Sequence, residues 1–130
     1  MNKADSVMKR YDYPHWYLGG HSLGGVCAAD YAAGHGDLLA GLVLLAAYPA
    51  KQLPDRLNTV LIYGTADGVL DPEKYAAGKR FVPADAAEYV IEGGNHAQFG
   101  SYGVQDGDGE AAVSPAEQVA AAVRDIMACV

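Results

Sequence analysis

Basic residues are scarce in this chain. Nine lysines and arginines stand against sixteen aspartates and glutamates, which gives a formal net charge of -7 over 130 residues. The basic residues form no cluster of the kind that binds nucleic acid or an anionic membrane surface. We therefore expect neither of these as a partner, whereas an uncharged small molecule is compatible with the composition.

Long hydrophobic runs are also lacking. The longest, Leu38 to Ala50 (LLAGLVLLAAYPA), is too short to span a membrane and is broken by Gly41 and Pro49, so it indicates a buried strand with its flanks. The N-terminal residues MNKADSVMKR are charged and contain no hydrophobic signal segment. These features predict a cytoplasmic location without a membrane span.

Cysteine occurs only twice, at positions 27 and 129. Both cysteines fall in helical sequence for which we expect burial, and this favours free thiols in a reducing compartment over a disulfide. Cys27 is more typical of a core residue than of a nucleophile.

Apolar strands alternate with helical segments along the chain, which predicts one α/β domain over residues 1–130 with a parallel sheet covered by helices. Asp71-Pro72 and Ser114-Pro115-Ala116-Glu117 are typical helix starts, the second being a capping box. We expect a loop or very short helix between the second and third strands. The predicted strands are Trp16–Leu18, Gly41–Ala47, Thr59–Tyr63 and Glu88–Glu92; the predicted helices are Lys3–Tyr11, Leu23–Ala33 (closed by Gly34 or Gly36), Asp71–Lys79 and Ser114–Ala128.

The stretch WYLGGHSLGG, residues 16–25, places one serine in a G-x-S-x-G pattern between a strand-forming run and a helix-forming run. A sharp strand-to-helix turn strains the backbone at its apex and crowds the positions on either side, so we expect Gly20 and Gly24 to prevent a collision between side chains there. The apex residue, Ser22, then exposes its hydroxyl above the sheet edge. The alternative is a glycine-rich turn whose serine merely caps a helix.

Two further polar residues follow strands whose carboxyl ends share this edge: Asp67 in IYGTADGVL and His96 in EGGNHAQFG. A serine needs a histidine to accept its proton and an acid to orient that histidine, and the order Ser, Asp, His is the hydrolase order. Asp71 is the rival acid, but its position before Pro72 assigns it to helix capping. Taken alone, Asp67 is compatible with a turn residue and His96 with a loop histidine. The other three histidines, His15, His21 and His35, do not lie in a loop after the acid.

The segments GGHSLGG, IYGTADGV and GGNHAQFG, in this order and spacing, resemble the nucleophile elbow, acid loop and histidine loop of the α/β-hydrolase family. The continuation FGSYGVQDGDGEAAVSPAEQ resembles the same region in a bacterial branch of uncharacterised hydrolases. The resemblance implies Ser22 as nucleophile, Asp67 as acid, His96 as base and the backbone N–H of Leu23 as an oxyanion-hole donor, without metal or cofactor. QDGDG (residues 105–109) lacks the twelve-residue calcium-loop pattern and predicts a turn.

Members of that family carry four further strands before the elbow, and the loop after the third supplies a second oxyanion N–H. This chain resembles only the C-terminal half, so we expect a truncated α/β-hydrolase fold of about four parallel strands with helices on both faces. The elbow strand then forms an open edge, at which Tyr11, Tyr13, Trp16 and Tyr17 gather. An exposed aromatic edge of this kind predicts a homodimer.

The function expected from these features is that of a serine hydrolase acting on small carboxylic esters through an acyl-enzyme intermediate. The alternative is a non-catalytic fragment or interaction module that needs a partner chain.

Overall fold

The computed structural model describes residues 3–130 and contains one sheet of four parallel strands. The spatial order follows the chain order, so the first and fourth strands are the edges of this sheet. The strands are β1 (Tyr17–His21), β2 (Gly41–Leu45), β3 (Asn58–Gly64) and β4 (Ala87–Ile91). The predicted fold class, a truncated parallel α/β fold, is confirmed.

In the described part of the chain, four α-helices connect or flank the strands. They are α1 (Lys3–Arg10), α2 (Leu23–His35), α3 (Pro72–Gly78) and α4 (Pro115–Met127), with short 3-10 helices at Gly36–Leu38, Lys79–Phe81 and Ala97–Phe99. Within residues 3–130, each helix is too short or too polar to cross a membrane.

The core lies on both faces of the sheet. On one face, Leu42, Leu44 and Leu61 pack with α2 and with Tyr75 of α3. On the other face, Val60 and Ile62 pack with Ile91 and with Ala122 of α4. Successive side chains of a strand point to opposite faces, so the continuous apolar run of β3 supplies both cores.

Two helix starts confirm the capping predictions. The carboxylate of Asp71 accepts hydrogen bonds from the backbone N–H groups of Glu73 and Lys74, with Pro72 as the first residue of α3. Ser114 and Glu117 form the reciprocal capping box of α4. Both motifs satisfy backbone donors that an α-helix leaves without an intrahelical acceptor.

The predicted boundaries of β1 and α2 were wrong in detail. The first strand is Tyr17–His21 rather than Trp16–Leu18, because the two glycines that weaken its local strand propensity still pair with Val43 and Leu44 of β2. Helix α2 continues to His35, and Gly36 at its end has right-handed torsion angles (φ -58°, ψ -25°) that lead into a 3-10 turn. A glycine therefore does not end this helix in the left-handed conformation.

The thiols of Cys27 and Cys129 are free, as predicted, but Cys27 is exposed rather than buried. The buried residues of α2 are mainly small ones that face the sheet: Gly25, Ala28, Ala29, Tyr31 and Ala32. Because α2 is apolar around most of its circumference, hydrophobicity did not reveal which side faces solvent.

The predicted open edge is present, because β1 pairs only with β2 among the described residues. Tyr11 stacks on Tyr13 with ring centroids 5.9 Å apart, and Tyr13 meets the edge of Trp16 at 5.4 Å. Tyr13 is 61% exposed and Tyr17 is 45% exposed. The aromatic residues thus form a solvent-accessible group along this side of the sheet.

Candidate active site

Ser22 occupies the turn between β1 and α2. Its φ of 57° and ψ of -126° lie in a region that non-glycine residues rarely adopt, and its N–H donates to the carbonyl oxygen of Leu45 on β2 (2.9 Å). Such strain persists only when the surrounding structure enforces it. Here the strand pairing on one side and the start of α2 on the other hold the serine in place.

Glycines allow this turn to be sharp, but not in the way the sequence suggested. A Cβ at Gly20 would overlap the backbone of Gly24, whereas a Cβ at Gly24 would meet nothing within 4 Å. The second crowded position is Gly25, where a Cβ would overlap that of Ala47 and lie 2.8 Å from the oxygen of Gly20. The predicted collision between side chains at positions 20 and 24 is therefore corrected: Gly20 and Gly25 are required, and Gly24 is not.

The side chains of Ser22, His96 and Asp67 form one continuous line of hydrogen bonds. The Nε2 atom of His96 lies 2.9 Å from the Oγ atom of Ser22, and its Nδ1 atom lies 2.8 Å from Oδ2 of Asp67. Ser22 follows β1, Asp67 follows β3 and His96 follows β4. The structure therefore brings together, at one sheet edge, the three residues that the sequence placed in post-strand loops.

Burial and hydrogen bonding determine the tautomer of His96. The side chains of His96 and Asp67 are 1% and 2% exposed, while Ser22 is half-buried and accessible. Because Nδ1 faces a carboxylate that only accepts, it carries the hydrogen in the neutral ring, which leaves Nε2 free to accept the hydroxyl proton of Ser22. This is the arrangement that general-base activation of a serine requires.

Asp67 is fixed by its own loop. Its Oδ1 atom accepts hydrogen bonds from the backbone N–H groups of Val69 and Leu70, both 2.8 Å away, which leaves Oδ2 for His96. The rival acid, Asp71, instead accepts from Glu73 and Lys74 at the start of α3. Asp67 rather than Asp71 is thus the carboxylate that reaches the histidine.

A buried glutamine of α4 supports the loop that carries His96. Gln118 is fully buried; its Nε2 donates to the carbonyl oxygen of Asn95 (2.7 Å), and its Oε1 accepts from the N–H of Asn95 (3.0 Å) and from Gln98 (2.9 Å). The side-chain amide pairs with the backbone of Asn95 as a neighbouring peptide group would. Both the backbone N–H and the backbone carbonyl group of Asn95, the residue before His96, are therefore hydrogen-bonded to Gln118.

His21, which the sequence left outside the site, lies against His96. Their ring centroids are 4.7 Å apart, and Nε2 of His21 donates to the carbonyl oxygen of His96 at 2.9 Å. Burial lowers the pKa of His21, and the neighbouring His96 lowers it further. His21 is thus neutral at neutral pH and helps to fix the backbone of His96. Its place in the elbow could be read from the sequence, but its contact across the sheet could not.

The predicted turn at residues 105–109 is also confirmed. Asp108 N–H donates to the Gln105 carbonyl oxygen (3.2 Å), and Gly107 has a φ of 84° that favours glycine. The sequence did not reveal that the Asp108 carboxylate points back to both the acid loop and the histidine loop. An aspartate between two glycines is typical of turns, so no local signal distinguished it.

An open groove of about 390 Å³ lies over the Ser22 hydroxyl. The residues that line it are Ser22, Leu23, Val26, Ala46, Tyr48, Val69, Leu70, Asp71, Lys74 and His96. Leu23 is the first residue of α2, where backbone N–H groups have no intrahelical acceptor. Polar and apolar groups thus contribute to the groove surface in similar measure.

The model of the alpha/beta hydrolase family matches residues 1–120 of the chain. The chain belongs to the alpha/beta hydrolase family. No curated protein matches this alpha/beta hydrolase significantly.

Solved structures share the fold of this alpha/beta hydrolase at low sequence identity. An alpha-beta serine hydrolase homologue from Coxiella burnetii has a TM-score of 0.67 at 18% identity, covering 95% of this chain and 55% of its own. A predicted CIB-like hydrolase from Thermoplasma acidophilum has a TM-score of 0.63 at 18% identity, with 95% and 56% covered. A monoacylglycerol lipase from Paleococcus ferrophilus has a TM-score of 0.60 at 18% identity, with 75% and 65% covered.

The chain therefore spans less than two thirds of the length of these three solved chains. This coverage agrees with the expectation that the chain corresponds to only part of the fold.

The glycine geometry of the elbow predicts opposite results for two adjacent substitutions. We expect Gly25→Ala to lower the free energy of unfolding by about 1 to 3 kcal/mol, because its Cβ would overlap Ala47 and the β1 backbone. Gly24→Ala should leave stability unchanged or raise it slightly, since the position is open and alanine favours helix. Urea unfolding followed by circular dichroism measures both. Equal losses for the two variants would contradict this account of the turn.

Proposed function

We propose that the chain is a serine hydrolase that cleaves small carboxylic esters through an acyl-enzyme intermediate. The observation that carries this proposal is the line of hydrogen bonds from Ser22 through His96 to Asp67, at 2.9 and 2.8 Å, assembled from three separate loops. Membership of the alpha/beta hydrolase family supports the same reaction class.

In the proposed reaction, the Oγ atom of Ser22 attacks the ester carbonyl carbon while Nε2 of His96 takes the hydroxyl proton. Asp67 holds the imidazole orientation and stabilises the imidazolium that forms. The N–H of Leu23 donates to the developing oxyanion. The tetrahedral intermediate then expels the alcohol, which receives the proton from His96, and a water molecule activated in the same way hydrolyses the acyl-serine.

Esters are favoured over amides for two reasons. An alkoxide departs more readily than an amide nitrogen, and within residues 3–130 we assign the oxyanion only one donor, the N–H of Leu23. Removing one such donor costs roughly 100 to 1,000-fold in rate, which affects the harder substrate most. One solved structure of the same fold is a monoacylglycerol lipase, in keeping with an ester as substrate.

A second candidate function is a non-catalytic module that needs a partner chain. It is favoured by the unpaired edge of β1 and by the chain spanning 55% to 65% of three solved relatives. In this case the residues of the site would retain their geometry without turnover by the isolated chain.

We further propose that the chain forms a homodimer through the β1 edge. The exposed residues Tyr11 and Tyr13 precede β1, and the exposed Tyr17 lies on it. The backbone groups of this edge strand can pair with another strand. A two-fold pairing would bury the same surface on both copies.

The first test is hydrolysis of 4-nitrophenyl acetate by the purified chain. We expect an initial burst of nitrophenol followed by slower turnover, both lost in Ser22→Ala. Cys27→Ser is the matched control, because Cys27 is an exposed thiol that could react with an activated ester; this variant should retain the burst. Equal rates for the original chain and Ser22→Ala would favour the non-catalytic alternative.

The second test separates the two carboxylates. In Asp67→Asn, Oδ1 keeps its two backbone donors, so the new NH₂ group faces Nδ1 of His96 and forces the wrong tautomer. We expect turnover to fall by roughly three to four orders of magnitude. Asp71→Asn should have a small effect, because one oxygen accepts both cap hydrogen bonds and asparagine caps helices nearly as well. The reverse ranking in kcat would assign the acid role to Asp71.

The third test compares the two edge strands. Tyr17 on β1 and Val90 on β4 are 45% and 47% exposed, so a lysine at either position introduces a charge at a similar edge site. We expect the chain and Val90→Lys to sediment as dimers at micromolar concentration, and Tyr17→Lys as a monomer. A single species at the mass of one chain for all three proteins would refute the dimer.

A further inference from the structure

The carboxylate of Asp108 accepts four backbone hydrogen bonds. Its Oδ1 atom receives the N–H groups of Gly68 (3.1 Å), His96 (3.1 Å) and Gly109 (2.9 Å), and its Oδ2 atom receives that of Ala97 (2.9 Å). Only an ionised carboxylate has two oxygen atoms that both accept hydrogen bonds and donate none. An amide or a hydroxyl in this position could not accept all four.

Three of these donors belong to the loops that carry the acid and the base. Gly68 directly follows Asp67, one donor is His96 itself, and Ala97 follows it. One carboxylate therefore binds the acid loop, after β3, to the histidine loop, after β4. Only Gly109 belongs to the loop of Asp108.

Close packing accompanies these bonds. A Cβ at Gly109 would overlap the carbonyl oxygen of Ala66, and one at Gly68 would overlap that of Gly107. The side chain of Asn95 donates to the carbonyl oxygen of Gly109 at 3.1 Å. The turn at residues 105–109 therefore packs directly against the loop of Asp67 and the loop of His96.

The charge of Asp108 is maintained by the same contacts. Partial burial raises the pKa of the carboxyl group, but the hydrogen bonds from Ala97, Gly68, His96 and Gly109 outweigh it and hold the pKa below its usual value. Asp108 is therefore ionised at neutral pH.

We propose that Asp108 is a positioning residue, whose carboxylate fixes the loop of Asp67 to the loop of His96 and so maintains the hydrogen bond between acid and base. This inference rests on the proposed function, since it presupposes that Asp67 and His96 act together on Ser22. Asp108 does not line the groove over Ser22, so its effect falls on the geometry of the reacting groups and not on substrate contact.

Asp108→Asn tests the proposal with little change in volume. Whichever way the new amide is turned, its NH₂ group faces at least one backbone N–H: that of Ala97 in one orientation, or those of Gly68, His96 and Gly109 in the other. The matched control is Asp106→Asn, which removes the same charge from the same turn at an exposed position.

With 4-nitrophenyl acetate, we expect Asp108→Asn to lower kcat by roughly 100-fold with KM almost unchanged, as displacements of about 1 Å do to reacting groups. Asp106→Asn should match the original chain. Unchanged kcat in Asp108→Asn, or an equal loss in both variants, would overturn the proposal.

A second readout does not depend on ester turnover. The proton between Nδ1 of His96 and Asp67 should give a low-field proton NMR signal in the original chain and in Asp106→Asn, and this signal should weaken or vanish in folded Asp108→Asn. If the original chain hydrolyses no ester, the proposed function fails, and this signal still decides the positioning role. Its persistence in Asp108→Asn would refute that role.

If Asp108→Asn does not fold, the original chain supplies the test. As the Asp108 carboxyl is titrated with acid, the amide proton signals of Gly68, His96 and Ala97 should shift with the same midpoint as the carboxyl carbon, and the low-field signal should weaken at that midpoint. The proposal would be overturned if the amide signals did not shift with the midpoint of the carboxyl carbon. It would also be overturned if the low-field signal did not weaken at that midpoint.

Discussion

The parallel direction of the four strands is the constraint on which the site depends. In-register pairing places His21 beside Leu45, Leu45 beside Ile62, and Gly64 beside Ile91, so the carboxyl ends of all four strands lie along one edge. The loops that follow β1, β3 and β4 therefore emerge close together. Residues separated by 74 and 29 positions in the chain meet within hydrogen-bond distance as a result.

Burying a histidine and a carboxylate at this edge requires compensation, because removing a charge from water costs several kcal/mol unless it is paired and hydrogen-bonded. The structure provides it through backbone groups. Asp67 accepts from two N–H groups of its own loop, and the carbonyl oxygen of His96 accepts from His21. Polar groups in these loops thus find hydrogen-bond partners without the repeating backbone pattern of a helix or sheet.

Features encoded by neighbouring residues could be predicted from the sequence, whereas features created by long-range contact could not. Three such features depend on residues close in sequence. They are the alternation of apolar strands with helices, the cap at Asp71 and the capping box at Ser114. The positions of Ser22, Asp67 and His96 after predicted strands also indicated a shared edge, because the loops that follow parallel strands emerge at the same edge of the sheet. The crowding at Gly25 arises from Ala47, and the contacts of His21 and Asp108 cross between strands or loops, so no local pattern contained them. The exposure of Cys27 escaped prediction because α2 has few polar residues to mark its outer side.

The pairing of Gln118 with Asn95 has a consequence for synthesis of the chain. The loop before His96 is held by a residue of α4, which is made after β1, β3 and β4. During synthesis, the turn that carries Ser22 and the loop that carries Asp67 are therefore made before the helix that holds the histidine loop. The loop of His96 gains this support only after residues 115–127 have been synthesised and have formed α4.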